Sequence, residues 1–252
     1  MWEVSLFAGI SAHKKEKVMH ALERLTGQKQ YAFVEWHMVY VPPSDTKLTS
    51  DRPDLYLRLC AQLSETDAVS IASAIASASA SIATCSLVTE RYWTVTLVDA
   101  PEVGVKRSAT SRLRLQSRVL RGNIFALLEE LGYTFRFAYG LHGIRYIYGY
   151  CVLTLAQPLH QQTVSTAFPS SLVSVDQTNS WLLEATVNVE NASDRALMDE
   201  AVEELSRLRK ILQGVCHLEP ADDHRLLGFN ISVNLIELTI EYVKLMVECA
   251  RL

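Results

Sequence analysis

The chain has 252 residues, 49% apolar and 21% charged, with a formal net charge of −4. That length buries a sizeable core, as one large domain or a domain with extensions, and the composition excludes a disordered chain. The weak negative charge excludes a global pull towards nucleic acid or acidic lipid.

Residues 2–10 alternate, with Trp2, Val4, Leu6 and Ala8 on one face and Glu3, Ser5 and Phe7 on the other, which predicts a strand. Ser11 then caps an amphipathic helix to about residue 25, with Val18, Ala21, Leu22 and Leu25 at helical spacing and Gly27 as a left-handed stop. Two strands are expected over 31–41, ending at Pro42-Pro43, and over 54–63. Residues 68–84 are almost entirely Ala, Ser and Ile, a low-complexity insertion with little side-chain volume to specify packing. Strands follow over 91–98 and 111–120. Asn123 opens a short helix through residue 131, with Leu127, Leu128 and Leu131 as its core face and Gly132 as its stop.

Residues 133–139 and 144–155 read as paired strands joined by a turn at Gly140-Leu-His-Gly143. The polar stretch 156–180, with Pro158 and Pro169, reads as a loop. Residues 181–189 alternate again, and Ser193 caps a helix to about residue 212 with Leu197, Ala201, Leu205, Leu208 and Leu212 inward. Strands mostly follow strands without crossover helices. The fold class is therefore α+β, an antiparallel sheet or barrel with flanking helices, rather than a doubly wound sheet. Residues 1–227 form this domain. Residues 228–252 form an apolar helical extension whose polar positions, Asn234, Glu237, Glu241, Lys244, Glu248 and Arg251, make one narrow stripe; it is too short and too charged to cross a membrane.

Little in the chain carries chemistry. Phosphate-loop and nucleophile-elbow patterns are lacking, and Gly140-Leu-His-Gly143 opens no helix that could cradle a pyrophosphate. Cys60, Cys85, Cys151, Cys216 and Cys249 are dispersed with no CxxC pair, so reduced thiols are expected. His217 and His224 flank Asp222 and Asp223, but Pro220 interrupts the run and a solvated turn is the simpler reading. The opening residues lack a basic segment before an apolar run, so no signal peptide is expected, and the sequon Asn191-Ala-Ser193 then carries no weight. A barrel can hold a divalent ion on alternating glutamates of one strand, yet Glu3 shares its face with Ser5. Glu184 and Glu190 lie about 20 Å apart when extended, and a solvated face is expected for both. No catalytic, cofactor or metal residue is assigned. The strongest electrostatic feature is Arg112, Arg114 and Arg118 on one strand face, opposite Leu113, Leu115 and Val119. It reads as a wet basic face, a candidate surface for an acidic partner segment or RNA, although direct nucleic-acid binding is not expected overall.

Several segments in order resemble the fungal Mediator subunit 18 family: Val4-Ser-Leu-Phe-Ala-Gly9, Tyr31-Ala-Phe-Val-Glu-Trp-His-Met-Val-Tyr40 before prolines, Leu131-Gly-Tyr-Thr-Phe135 with Tyr139 and Gly143 following, Trp181-Leu-Leu-Glu184, and Val215-Cys-His-Leu-Glu219. The resemblance spans roughly residues 2–227. It implies a barrel of tunnel-type triphosphatase architecture without that activity or any cofactor. It further implies a nuclear coactivator subunit of the Mediator head module, pairing with subunit 20, holding the C-terminal helix of subunit 8, and reaching the RNA polymerase II machinery through the complex. Gly132, Tyr133, Phe135, Tyr139 and Gly143 would then be packing residues. The 68–84 insertion and the tail after 227 depart from the family. The alternative is a divergent triphosphatase-like barrel acting on polyphosphate or RNA 5′ ends, which requires inward glutamates among lysines and arginines.

Overall fold

The computed structural model describes residues 1–28, 30–43, 56–63, 92–99, 108–161, 172–176, 178–191 and 194–220. The 68–84 segment and the 228–252 tail lie outside these residues. Nine strands are described: β1 (Trp2–Ile10), β2 (Tyr31–Val41), β3 (Leu57–Gln62), β4 (Thr94–Val98), β5 (Thr110–Arg118), β6 (Thr134–Tyr148), β7 (Cys151–Gln161), β8 (Leu172–Ser174) and β9 (Trp181–Val189). The helices among the described residues are α1 (Lys15–Thr26), preceded by a 3-10 turn at Ala12–Lys14, α2 (Ile124–Glu130) and α3 (Arg195–Ile211).

Hydrogen bonding orders the strands β6-β2-β3-β4-β5-β1-β9-β7-β8, and β6 also pairs with β7. That last pairing closes eight antiparallel strands into a barrel, with β8 added outside the ring on β7. The 15-residue β6 makes closure possible: its first part pairs with β2 and its second part with both β2 and β7. Closure removes the unpaired edges that an open sheet would present.

The hydrophobic core lies outside the barrel wall. On one side Val4, Leu6, Leu153, Leu155, Leu183 and Ala185 are buried beneath Met198, Ala201, Leu205, Leu208 and Leu212 of the α3 region, and beneath Val18 and Leu22 of α1. On the other, Trp36, Met38, Leu57, Leu59 and Trp93 are covered by Ile124, Phe125 and Leu128 of α2. There the Trp93 and Phe125 rings meet edge to face, 5.2 Å apart. Burying each such side chain contributes roughly 1.5–3 kcal/mol, so the helices hold the outer apolar face out of water and leave the opposite strand face turned inward.

Four local expectations change. The turn expected at Gly140–Gly143 is continuous strand, and the β6–β7 hairpin turns instead at Gly149-Tyr150, where Gly149 adopts φ 55° and Tyr148 faces Cys151. Gly143 is required for close strand contact: a Cβ there would stand 2.5 Å from the Leu155 carbonyl oxygen and 2.9 Å from the Ala156 Cα. In α2 the buried face is Ile124, Phe125 and Leu128, whereas Leu127 and Leu131 are exposed, because the short helix meets the wall on its first turn. In α3 Met198 takes the inward place expected of Leu197, and Asp194 caps the helix, accepting from the N–H groups of Ala196 and Leu197. The stretch expected as loop after residue 155 contains the end of β7 and all of β8. Gly27 is left-handed, as its sequence position requires.

Gly143→Ala should lower stability by about 3 kcal/mol through overpacking against backbone that cannot retreat, read as a reduced urea midpoint with an unchanged slope. A wild-type midpoint would contradict this reading of the β6–β7 contact.

Candidate functional site

The inward strand face is polar. Register places Glu3 of β1 between Arg112 of β5 and Asn188 of β9, and Ser5 between Thr110 and Thr186. Glu3 is 2% exposed, and both of its oxygens are taken by guanidiniums. Arg112 Nε donates to Oε1 at 2.6 Å, with its Nη2 also on that oxygen, and Arg114 Nη1 donates to Oε2 at 2.6 Å. This two-arginine clamp is charge-assisted and partly dehydrated, the geometry in which an ion pair is strongest. Burial pushes the Glu3 carboxyl up, but the charges and hydrogen bonds of Arg112 and Arg114 outweigh it and hold the group below its ordinary value.

Glu184 of β9 lies two register positions along, opposite Phe7 of β1, with its Oε1 3.7 Å from Arg112 Nη2. Here burial dominates and the nearby Glu3 charge adds to it, so the Glu184 carboxyl is raised despite Arg112, Arg114 and Arg58. One arginine thus stands between two carboxylates whose proton affinities move in opposite directions.

A second polar cluster lines the β2–β3–β6 side. Glu35 and His37 share a face of β2, and Cys60 of β3 is the direct cross-strand partner of His37. His37 Nε2 lies 3.4 Å from Glu35 Oε2 and 3.8 Å from Cys60 Sγ. Arg145 of β6 binds the other Glu35 oxygen at 2.8 Å, and its guanidinium lies over the Phe33 ring at 3.8 Å. The Tyr139 ring stacks on the imidazole, 4.8 Å away and tilted by 8°. Burial pushes the Glu35 carboxyl up, but hydrogen bonds from His37 and Arg145 override it and bring it down to about 2. Burial lowers His37, keeping the imidazole neutral at pH 7, and raises the Cys60 thiol to about 12 with help from the Glu35 charge.

These placements correct the expected basic surface. Arg112 and Arg114 do share a face, but it is the barrel interior, and Glu3 engages both. Arg118 instead stands over the exposed Tyr92 ring, 4.7 Å from its centroid. The three arginines form no common patch. Glu3 also has a carboxylate nearby after all: it comes from β9, a neighbouring strand, which a search along β1 could not see. Glu184 faces the barrel interior, where it is half-buried, whereas Glu190 is exposed. Gly132 stops α2 with φ 77°, and Tyr133 packs into the α2 core cluster. Phe135 meets Tyr40 edge-on at 5.7 Å, Tyr139 lies in the interior on His37, and Gly143 spaces β6 from β7. These five residues occupy different parts of the wall and form no single site. The Glu35–His37–Cys60 cluster escaped sequence reasoning because its third member comes from β3; its only linear trace is the Glu35-Trp-His37 spacing.

The sequence model of the Med18 protein family matches residues 2–226. The chain belongs to the Med18 family. Among curated relatives, Mediator of RNA polymerase II transcription subunit 18 of Yarrowia lipolytica is 26% identical over 228 residues, covering 88% of this chain and 96% of the relative. The protein of the same name from Aspergillus fumigatus is 24% identical over 259 residues, covering 88% and 97%. Among solved structures, a chain of the Schizosaccharomyces pombe Mediator head module superposes with a TM-score of 0.70 at 20% identity, covering 88% of this chain and 99% of that one. The Med18 match ends just before the apolar tail noted above. Among the described residues, no helix is long and apolar enough to cross a membrane.

The two interior glutamates should respond oppositely to substitution. Glu3→Gln should cost about 3 kcal/mol at pH 7, because it removes the carboxylate that two partly buried guanidiniums share. Glu3 has a lowered folded pKa, so its contribution is complete above the ordinary glutamate value of about 4.3 and is lost as pH falls through the folded value. Glu184 has a raised folded pKa, so ionising it costs stability as pH rises through the ordinary value to the folded one; Glu184→Gln should be neutral or stabilising at pH 7. Denaturant melts of both variants from pH 3 to 8 check this, and equal losses at pH 7 would refute the assignment.

Proposed function

We propose that this chain is a non-catalytic subunit of the Mediator head module, a nuclear scaffold and coactivator for transcription by RNA polymerase II. In this reading it pairs with subunit 20, holds the C-terminal helix of subunit 8, and reaches the polymerase machinery through the complex. The observation that carries the reading is the family match, which runs through the barrel and its helices and spans nearly the full length of the relatives. Two further features support it. The outward side of α2 leaves Leu127 and Leu131 52% and 54% exposed, an apolar surface suited to a protein partner. Glu3, the most buried carboxylate among the described residues, is neutralised by two arginines, an arrangement that holds the wall together and withdraws that carboxylate from metal chemistry.

Co-expression with subunits 20 and 8 followed by size-exclusion chromatography should give one co-eluting species, with loss of the subunit 8 C-terminal helix reducing retention of that subunit. Separate elution of the three chains would refute the partner assignment.

The inward glutamates and arginines also match what a triphosphatase-like barrel requires in composition, so the enzyme reading has its own assay. Incubation with a nucleoside triphosphate and manganese should release no phosphate above a protein-free control. Turnover that disappears in Glu3→Ala would overturn the scaffold reading.

A further inference from the structure

We propose that Glu35, His37 and Cys60 form a binding site for one zinc-like transition-metal ion on the inner wall of the barrel. One donor atom from each of the three residues lies within 4.8 Å of the other two. The two individual separations, 3.4 Å from Glu35 Oε2 to His37 Nε2 and 3.8 Å from His37 Nε2 to Cys60 Sγ, suit a four-coordinate ion. With Zn–N and Zn–O near ~2.1 Å and Zn–S near ~2.3 Å, tetrahedral geometry sets ligand atoms roughly 3.3–3.8 Å apart. Small side-chain adjustments bring all three donors into range.

The backbone fixes this arrangement. Glu35 and His37 are two residues apart on one face of β2, and His37 pairs directly with Cys60 across the β2–β3 ladder. Arg145 holds Glu35 Oε1, leaving Oε2 as the single oxygen aimed at the site, and Tyr139 fixes the plane of the imidazole. Such outer contacts orient metal ligands. His37 Nδ1 is buried with no hydrogen-bond partner among the described residues, so Nε2 is the nitrogen with neighbours to share an ion with.

The donor set selects the ion. Carboxylate, imidazole and thiolate together favour zinc, cobalt(II) or a similar borderline ion over magnesium or calcium, which take oxygen ligands. The neutral imidazole loses no proton overall, but the hydrogen that Nε2 donates to Glu35 must move to Nδ1, so that the Nε2 lone pair faces the ion. The thiol is deprotonated: coordination transfers the Cys60 proton to solvent as the metal–sulfur bond forms. Arg58 and Arg145 oppose the incoming dication, and the two ligand anions, Glu35 and the Cys60 thiolate, offset it. The site stands independently of the Mediator reading.

The test uses the full chain, stripped with chelator and titrated with cobalt(II). The expected result is saturation at one equivalent, with a thiolate-to-cobalt charge-transfer band in the near ultraviolet and intense visible bands of tetrahedral cobalt. Cys60→Ser should abolish the charge-transfer band, and Cys216→Ser should leave it intact. If Cys60→Ser does not fold, the wild-type chain answers: one equivalent of zinc should be retained through gel filtration and should displace the cobalt charge-transfer band. Absence of a one-equivalent signal, its persistence in folded Cys60→Ser, its loss in Cys216→Ser, or a charge-transfer band that zinc does not displace would each overturn the site.

Discussion

Glu3 is held on the inner wall between Arg112 and Arg114, and the register of β1 depends on that placement. Strand side chains alternate, so slipping β1 by one residue would send Glu3 under α3 and bring Val4 into the interior. The carboxylate would lose both guanidiniums and be buried among Leu153, Leu183 and Leu205 without compensation. The same shift would break the Ser5–Thr186 hydroxyl contact and the alignment of Glu184 with Arg112. One ion cluster thus ties three adjacent strands, β5, β1 and β9, to a register whose parity gives α1 and α3 an apolar wall.

The barrel is consequently inverted relative to a small protein with an oily centre. Its apolar faces point outward beneath helices, and its charges point inward. That geometry makes the environment of each interior carboxylate individual. Glu3 is fully engaged, Glu35 divides its oxygens between Arg145 and His37, and Glu184 is left with one looser arginine contact and a repelling neighbour. A polar tunnel of this kind could serve chemistry, but in this chain much of its charge goes into holding the wall closed. On the outward side of α2, Leu127 and Leu131 remain exposed, among several large apolar side chains left on the outside of the described residues.

Much of this was legible in the sequence, and the failures are specific. The alternation of Trp2 to Ala8 and of Trp181 to Val189 grouped the residues of each face of β1 and β9 correctly, because an apolar face under helices and a polar face inside the barrel leave a period of two. The same alternation grouped Arg112 with Arg114 but could not say whether the polar face was outside or inside. Gly140 and Gly143 looked like turn punctuation because glycine marks both a turn and a close backbone contact, and only the position of Leu155 and Ala156 distinguishes them. Leu127 and Leu131 looked like core because apolar spacing shows that a face exists, not that something covers it.

By itself, the sequence determined the strand-rich α+β class, the helix stops at Gly27 and Gly132, the resemblance to the Mediator subunit 18 family and the lack of a local catalytic motif. These are properties of neighbours along the chain, where spacing and composition carry the information. Only the tertiary structure decided which face closes on itself, and therefore that Glu3 meets Arg112 and Arg114, that Glu184 stands near them, and that Cys60 comes to His37. Those contacts join residues far apart in sequence through strand register, and register is set by closure of the barrel as a whole.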